Sequence, residues 1–157
     1  MQTGRIYLQF WRTSAAALAL LLLMPRALHS FDEQTLEELK ERVANASVVD
    51  RPPLCIRVAE RQLDAANRFY DAGDIEKAQA ALNDVVAFSE SARDYAIQSH
   101  KHEKQTEIAI RKMARKLANL KHTVSREDQD PVQQTIDRLE RIRDELMAAM
   151  FPKGGKK

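Results

Sequence analysis

An all-α fold follows from three features of this sequence. Small and apolar residues recur at alternating spacings of three and four from 75 to 124. That stretch contains neither Pro nor Gly. The chain as a whole has only four Gly and five Pro in 157 residues, with 31% charged and 6% aromatic side chains, so turns are few and bulky core residues scarce. Together they predict extended helical hairpins around one long central helix, about 75–124. Helices at about 53–72 and 131–150 flank it antiparallel, and a short helix lies at about 32–47.

The central stretch repeats one face through Ile75, Ala78, Leu82, Val85, Ser89, Ala92, Ala96, Ser99, Glu103, Thr106, Ile110, Met113, Leu117, Leu120 and Val124. A 3-4 spacing held this long has a coiled-coil-like period. Without a strong breaker it reads as one helix of about 50 residues, roughly 75 Å long; the competing reading breaks it near Ser99-His100 and folds the chain into a compact bundle. Its two ends are apolar. Its middle, 89–106, is small or polar, and reads as a solvated connector or as a partner-binding surface.

Residues 1–30 have the layout of a secretory signal peptide. Arg5 and Arg12 supply a positive start, 15–24 is an unbroken apolar run, and Pro25 is followed by a small-residue stretch ending at Ser30. The apolar run is too short to cross a bilayer alone. The expected destination is the periplasm or the extracellular space. The first thirty residues hold three Arg and no acid, and the remainder carries 22 basic and 23 acidic residues, net −1. A near-neutral mature chain argues against a general nucleic-acid binder. Charge is nonetheless uneven: 31–98 holds 14 acids and 8 bases, whereas 99–122 holds 2 acids and 7 bases. The basic stretch 101–121 is a solvated helix face, or a docking patch for an acidic partner or a lipid headgroup.

In the helix at 32–47, Asp32 is the expected N-cap and Leu36, Leu39, Val43 and Ala46 share a face. Residues 31–52 close on a Pro-containing linker, because Pro52-Pro53 opens the next helix but cannot continue one. The helical domain proper is then 53–151. Its first helix buries Ile56, Ala59, Leu63 and Ala66 and ends at Gly73, a left-handed cap, with Asp74 capping the long helix. At the far end Asp130 is the expected N-cap of the last helix, Pro131 its first residue, and Val132, Ile136, Leu139 and Leu146 its apolar face. Residues 152–157 are a flexible basic tail. Cys55 has no partner for an internal disulfide and, between Leu54 and Ile56, reads as a small buried residue.

The run from Ala66 to Ala78 places Ala66, Phe69, Gly73, Ala78 and Leu82 at the offsets of small, aromatic, Gly, Ala and large apolar positions in one helical hairpin. This resembles a single tetratricopeptide repeat over about 57–90, and the resemblance implies an antiparallel helical hairpin. The chain otherwise resembles small exported helical proteins of bacteria, which supplies no activity.

Two-helix hairpins leave apolar surface wet. The economical cover is a second copy, so a homodimer or another protein partner is expected, with Ile110, Met113, Leu117 and Leu120 as the candidate interface. The one cluster with metal-ligand residue types is His100, Glu103 and Glu107, which share a helix face at i, i+3 and i+7. No glycine-rich phosphate loop, HExxH, CxxC or nucleophile elbow is present. The expected function is therefore a non-enzymatic exported protein without a cofactor, acting as scaffold, adaptor or chaperone through protein contact. The alternative is a periplasmic metal or envelope-stress sensor using His100, Glu103 and Glu107.

Overall fold

The structure is a computed structural model that describes residues 35–152. The candidate signal segment 1–30, the Asp32 cap and the tail beyond Pro152 lie outside the described residues. Those described form α1 (Leu36–Asn45), α2 (Arg51–Asp71), α3 (Ile75–Ser99), α4 (Glu103–Lys121) and α5 (Gln129–Met150), with no strand among them. The fold class is all-α.

The starts of α1, α2, α3 and α5 have local reasons. α1 starts at Thr35, whose hydroxyl accepts the Glu38 N–H at 3.2 Å while the Glu38 carboxylate accepts the Thr35 N–H at 3.2 Å. This capping box satisfies two of the amides that a helix start leaves unpaired. α2 comes after a turn in which the Ser47 hydroxyl donates to Asp50 at 2.6 Å and accepts from the Asp50 N–H at 3.3 Å. Pro52 and Pro53 then occupy its first turn, where no intrahelical amide bond is lost. Gly73 ends α2 at φ 73°, and the Asp74 carboxylate accepts the Lys77 N–H at 3.4 Å to start α3. The same Ser-to-Asp turn recurs before α5, with Ser125 donating to Asp128 at 2.6 Å. α5 therefore begins at Gln129 rather than Pro131, and Asp128 rather than Asp130 stands at the N-cap.

α2 and α3 form the first antiparallel hairpin. Arg51 reaches Tyr95 and Gln62 reaches Asp84, pairs that converge on Gly73. α4 and α5 form the second, with Lys121 donating to Gln133 at 2.7 Å and Arg143 to Glu107 at 2.9 Å. α1 lies on the first hairpin. Leu39 is buried there, and Lys40 reaches across to Asp84 at 3.0 Å.

The single long helix expected over 75–124 is not formed. It breaks at 100–102, where His100 and His102 both take left-handed conformations, φ 53° and 63°. Each such residue costs about 1–2 kcal/mol. The return is larger. The break lets the two hairpins stack, α3 on α5 and α2 on α4, into one core running from Ile56 and Leu63 through Leu82, Val85, Ala92 and Ala96 to Ile110, Leu117, Leu139 and Leu146. Fully burying a single Leu-sized side chain contributes about 1.5–3 kcal/mol, and many are buried here. The local pattern lacked a breaker because the cause is tertiary.

Two further expectations change with it. Residues 89–106 are not a solvated connector. Ser89, Ala92, Ala96 and Thr106 are all buried, and the Ser89 hydroxyl satisfies itself by donating to the Val85 carbonyl at 2.7 Å. Small residues on this part of α3 leave room for close helix approach. Among the described residues, much of the apolar surface for which a second copy is expected is covered within the chain, since each hairpin packs on the other. Among the described residues the exposed large apolar side chains are Val49, Met147 and Phe151.

Candidate functional site

The α3–α4 junction and the solvent side of α4 hold the candidate site residues. Ser99 is the last residue of α3, and its hydroxyl donates to the Tyr95 carbonyl at 2.7 Å, as Ser89 does to Val85 within the helix. His100 comes next as the left-handed C-cap, and His102 is the left-handed N-cap of α4. Histidine is one of the few non-glycine residues enriched in that region.

The structure brings together only part of the His100, Glu103 and Glu107 set. His100 is 86% exposed, and its Nδ1 lies 3.6 Å from Glu103 Oε1. Glu107 points the other way. It is 7% exposed, inside the second hairpin, where its Oε1 accepts from Arg143 Nε at 2.9 Å and lies 3.5 Å from Arg111 Nε. The expected i, i+3, i+7 face required helix through 100–102, and the break removes it. No group of three or more His, Cys, Asp or Glu among the described residues is arranged to hold a metal ion.

Ile110, Met113, Leu117 and Leu120, the candidate partner interface, are all buried in the chain's own core. What α4 presents outward is charge. Lys104, Arg111, Lys112, Arg115 and Lys116 are exposed, as is Lys101 just before the helix. Of the two acids in 99–122, Glu107 is buried against Arg143, which leaves the outer side of the helix positive. Lys116 is 3.7 Å from Asp64 of α2, a pair exposed enough to contribute little to stability.

The remaining concavities are surface clefts. One of about 850 Å³ lies between α1 and the start of α2, lined by Glu38, Glu41, Arg42, Asn45, Leu54 and Arg57 among others. Another of about 600 Å³ lies where α2 meets α4, around Leu63, Asp64, Arg68, Lys116 and Asn119. Neither cleft sets a nucleophile beside a base. Cys55 is fully buried, and burial pushes its thiol up to about 11 against the opposing pull of Arg51, so it is held as an unreactive thiol. Tyr70 carries a buried hydroxyl without a hydrogen-bond partner among the described residues. Burial, and then the nearby charge of Asp128, push its titration up.

Sequence reasoning missed the junction role of Arg51. Its Nε donates to the Ala46 carbonyl at 3.1 Å and its NH1 to the Tyr95 hydroxyl at 3.1 Å. No sequence pattern marks such a contact, which depends on how α1 meets the hairpin. No family model, no curated protein and no solved structure matches this chain.

Proposed function

We propose that this is an exported, non-enzymatic helical protein that acts as an adaptor or scaffold by holding an acidic protein surface against the solvent side of α4. The observation that carries this reading is the burial of Glu107 against Arg143, which strips the one central acid from a helix whose outer face is Lys104, Lys112 and Arg115. Opposed charge of this kind sets the encounter rate and orientation of a partner more than raw affinity. The signal-like segment 1–30 supports export, and the near-neutral balance of the rest supports a local charged patch over general binding of nucleic acid. The sensor reading keeps His100 and Glu103 as neighbours, but Glu107 is engaged elsewhere.

The test is quantitative cross-linking of the chain in an envelope extract of its own cells, beside the triple variant Lys104→Glu, Lys112→Glu, Arg115→Glu. Specific partners enriched by the natural chain and lost from the folded variant support the reading. Identical partner sets for both overturn it. Salt-sensitive binding to phosphatidylglycerol-containing vesicles, with no protein partner lost in the variant, overturns it in favour of a lipid surface.

A further inference from the structure

Three residues join the two hairpins, and two of them, His100 and His102, sit at positive φ. Neither is glycine, so both hold a conformation that L side chains rarely adopt. No Pro or Gly occurs anywhere in 75–121. The spacing of inward side chains also crosses the link without a change of phase. Ala92 and Ala96 are buried on one side, Thr106 and Ile110 on the other, with Ser99 and Glu103 half-buried between them. The 3-4 alternation is the same as if no break were present.

The same residues thus form one uninterrupted helix whenever the two histidines return to right-handed values. What forces the break is the stacking of the second hairpin on the first, and stacking does not require that both belong to one chain. The boundary carries its own register marks. Arg93 of α3 pairs with Glu145 of α5, Glu90 with Arg138 at 2.9 Å, and Asp64 of α2 with Lys116 of α4 at 3.7 Å. Each is a contact between side chains of separate hairpins and can be made equally well between copies. A short, strained hinge between two mutually complementary units is the arrangement from which exchange of identical elements arises at low cost.

We propose that the chain forms an exchanged dimer in which 100–102 straightens, α3 and α4 become one helix over 75–121, and each α4–α5 hairpin packs on the α2–α3 hairpin of a second copy. The hairpin boundary is remade between copies, with Arg93 of one facing Glu145 of the other. The strain at the two histidines is released, and the buried surface of the single-chain form is kept. This inference does not rest on the adaptor reading, because Lys104, Lys112 and Arg115 face solvent in both forms.

The test uses the full chain, purified as the cell leaves it, unfolded and refolded at high concentration, then examined by sedimentation. His100→Ala with His102→Ala penalises the left-handed link and favours helix. The dimer dissociation constant is expected to fall at least about tenfold. His100→Gly with His102→Gly relaxes the link and shifts the distribution toward monomer. Chain exchange is read separately in a Cys55→Ala background. Chains carrying Arg93→Cys are refolded together with chains carrying Glu145→Cys and then oxidised. A disulfide-linked pair containing one of each is expected, enriched by the alanine hinge. The chain carrying both cysteines serves as the geometric control, closing an internal disulfide as monomer. Monomer at every concentration with all three hinges overturns the proposal. So does a dimer that is insensitive to the hinge or yields no mixed disulfide.

Discussion

The Arg51 guanidinium lies over the Tyr95 ring, 4.9 Å from its centroid, while donating to the Tyr95 hydroxyl at 3.1 Å. The same group donates to the Ala46 carbonyl at 3.1 Å and the Ala44 carbonyl at 3.3 Å. One side chain at the start of α2 therefore satisfies carbonyls at the end of α1 and fixes α3 in register. Lysine offers a point charge where this site uses a planar fork. Arg51→Lys is expected to cost about 1–2 kcal/mol, read from urea unfolding. The same variant should show faster protease cleavage around 46–50, since α1 depends on this anchor and on Leu39. Cleavage at the natural rate would show that α1 is held by Leu39 and Lys40 without it.

Tyr70 gives a prediction of opposite sign. Its hydroxyl is buried without a partner among the described residues. An unmet buried polar group carries a desolvation cost that no bond returns. Tyr70→Phe removes the hydroxyl and keeps the ring that packs against the core, so the variant should be more stable by about 1 kcal/mol. A rise in the unfolding midpoint at unchanged denaturant slope is the expected reading. A fall in the midpoint would mean that the hydroxyl is bonded in solution.

Gly73 shows where the sequence was readable. The hairpin around Gly73 was legible because its causes are local: a left-handed glycine, an Asp cap, and apolar residues at the right offsets on both sides. Gly73 does take φ 73°, and Ala66, Ala78 and Leu82 are buried. The capping box at Thr35 is equally local, and Thr-x-x-Glu is its signature. The break at 100–102 was legible only as the lesser of two readings, a break near Ser99-His100, because no residue there is a strong breaker. His100 and His102 are ordinary helix residues by propensity, and only the chance to bury α3 against α5 makes a left-handed link worthwhile. Glu107 stands apart from His100 and Glu103 for the same reason. A helix-face argument that places Glu107 beside His100 holds only if the helix is continuous, and Ile110 to Leu120 looked available because the hairpin that covers them had been placed elsewhere.

Cys55 links burial to alkaline stability. The fold holds its thiol neutral up to about 11, against 9.0 for an unperturbed group, because burial penalises the thiolate. The unfolded chain releases this proton at lower pH than the folded one. The contribution is fully present below pH 9 and is lost as pH rises toward 11. Thermal midpoints measured across that window should fall for the natural chain and fall less for Cys55→Ala. The folded protein should also resist iodoacetamide at pH 8. Rapid alkylation there, without unfolding, would contradict the burial of the thiol.

Glu107 and Arg143 set the last expectation. The carboxylate is 7% exposed and accepts the Arg143 Nε at 2.9 Å, while Arg143 stays partly in water. A buried ion pair is expensive to desolvate, so the pair as a whole adds little relative to apolar residues of the same size. Removing one partner is costly because the other is stranded. The half-exposed guanidinium can recover water, but the buried carboxylate cannot. The cycle should therefore be asymmetric. Arg143→Met, which leaves Glu107 with only the longer 3.5 Å contact to Arg111, is expected to cost about 2 kcal/mol. Glu107→Gln, which leaves Arg143 free to turn outward, should cost about 1 kcal/mol. The double variant should be less destabilised than the sum of the two, with a coupling of about 1 kcal/mol. Equal and additive losses would place Glu107 in contact with solvent and return it to the outer face of α4, where it would offset the positive charge on which the proposed docking surface depends.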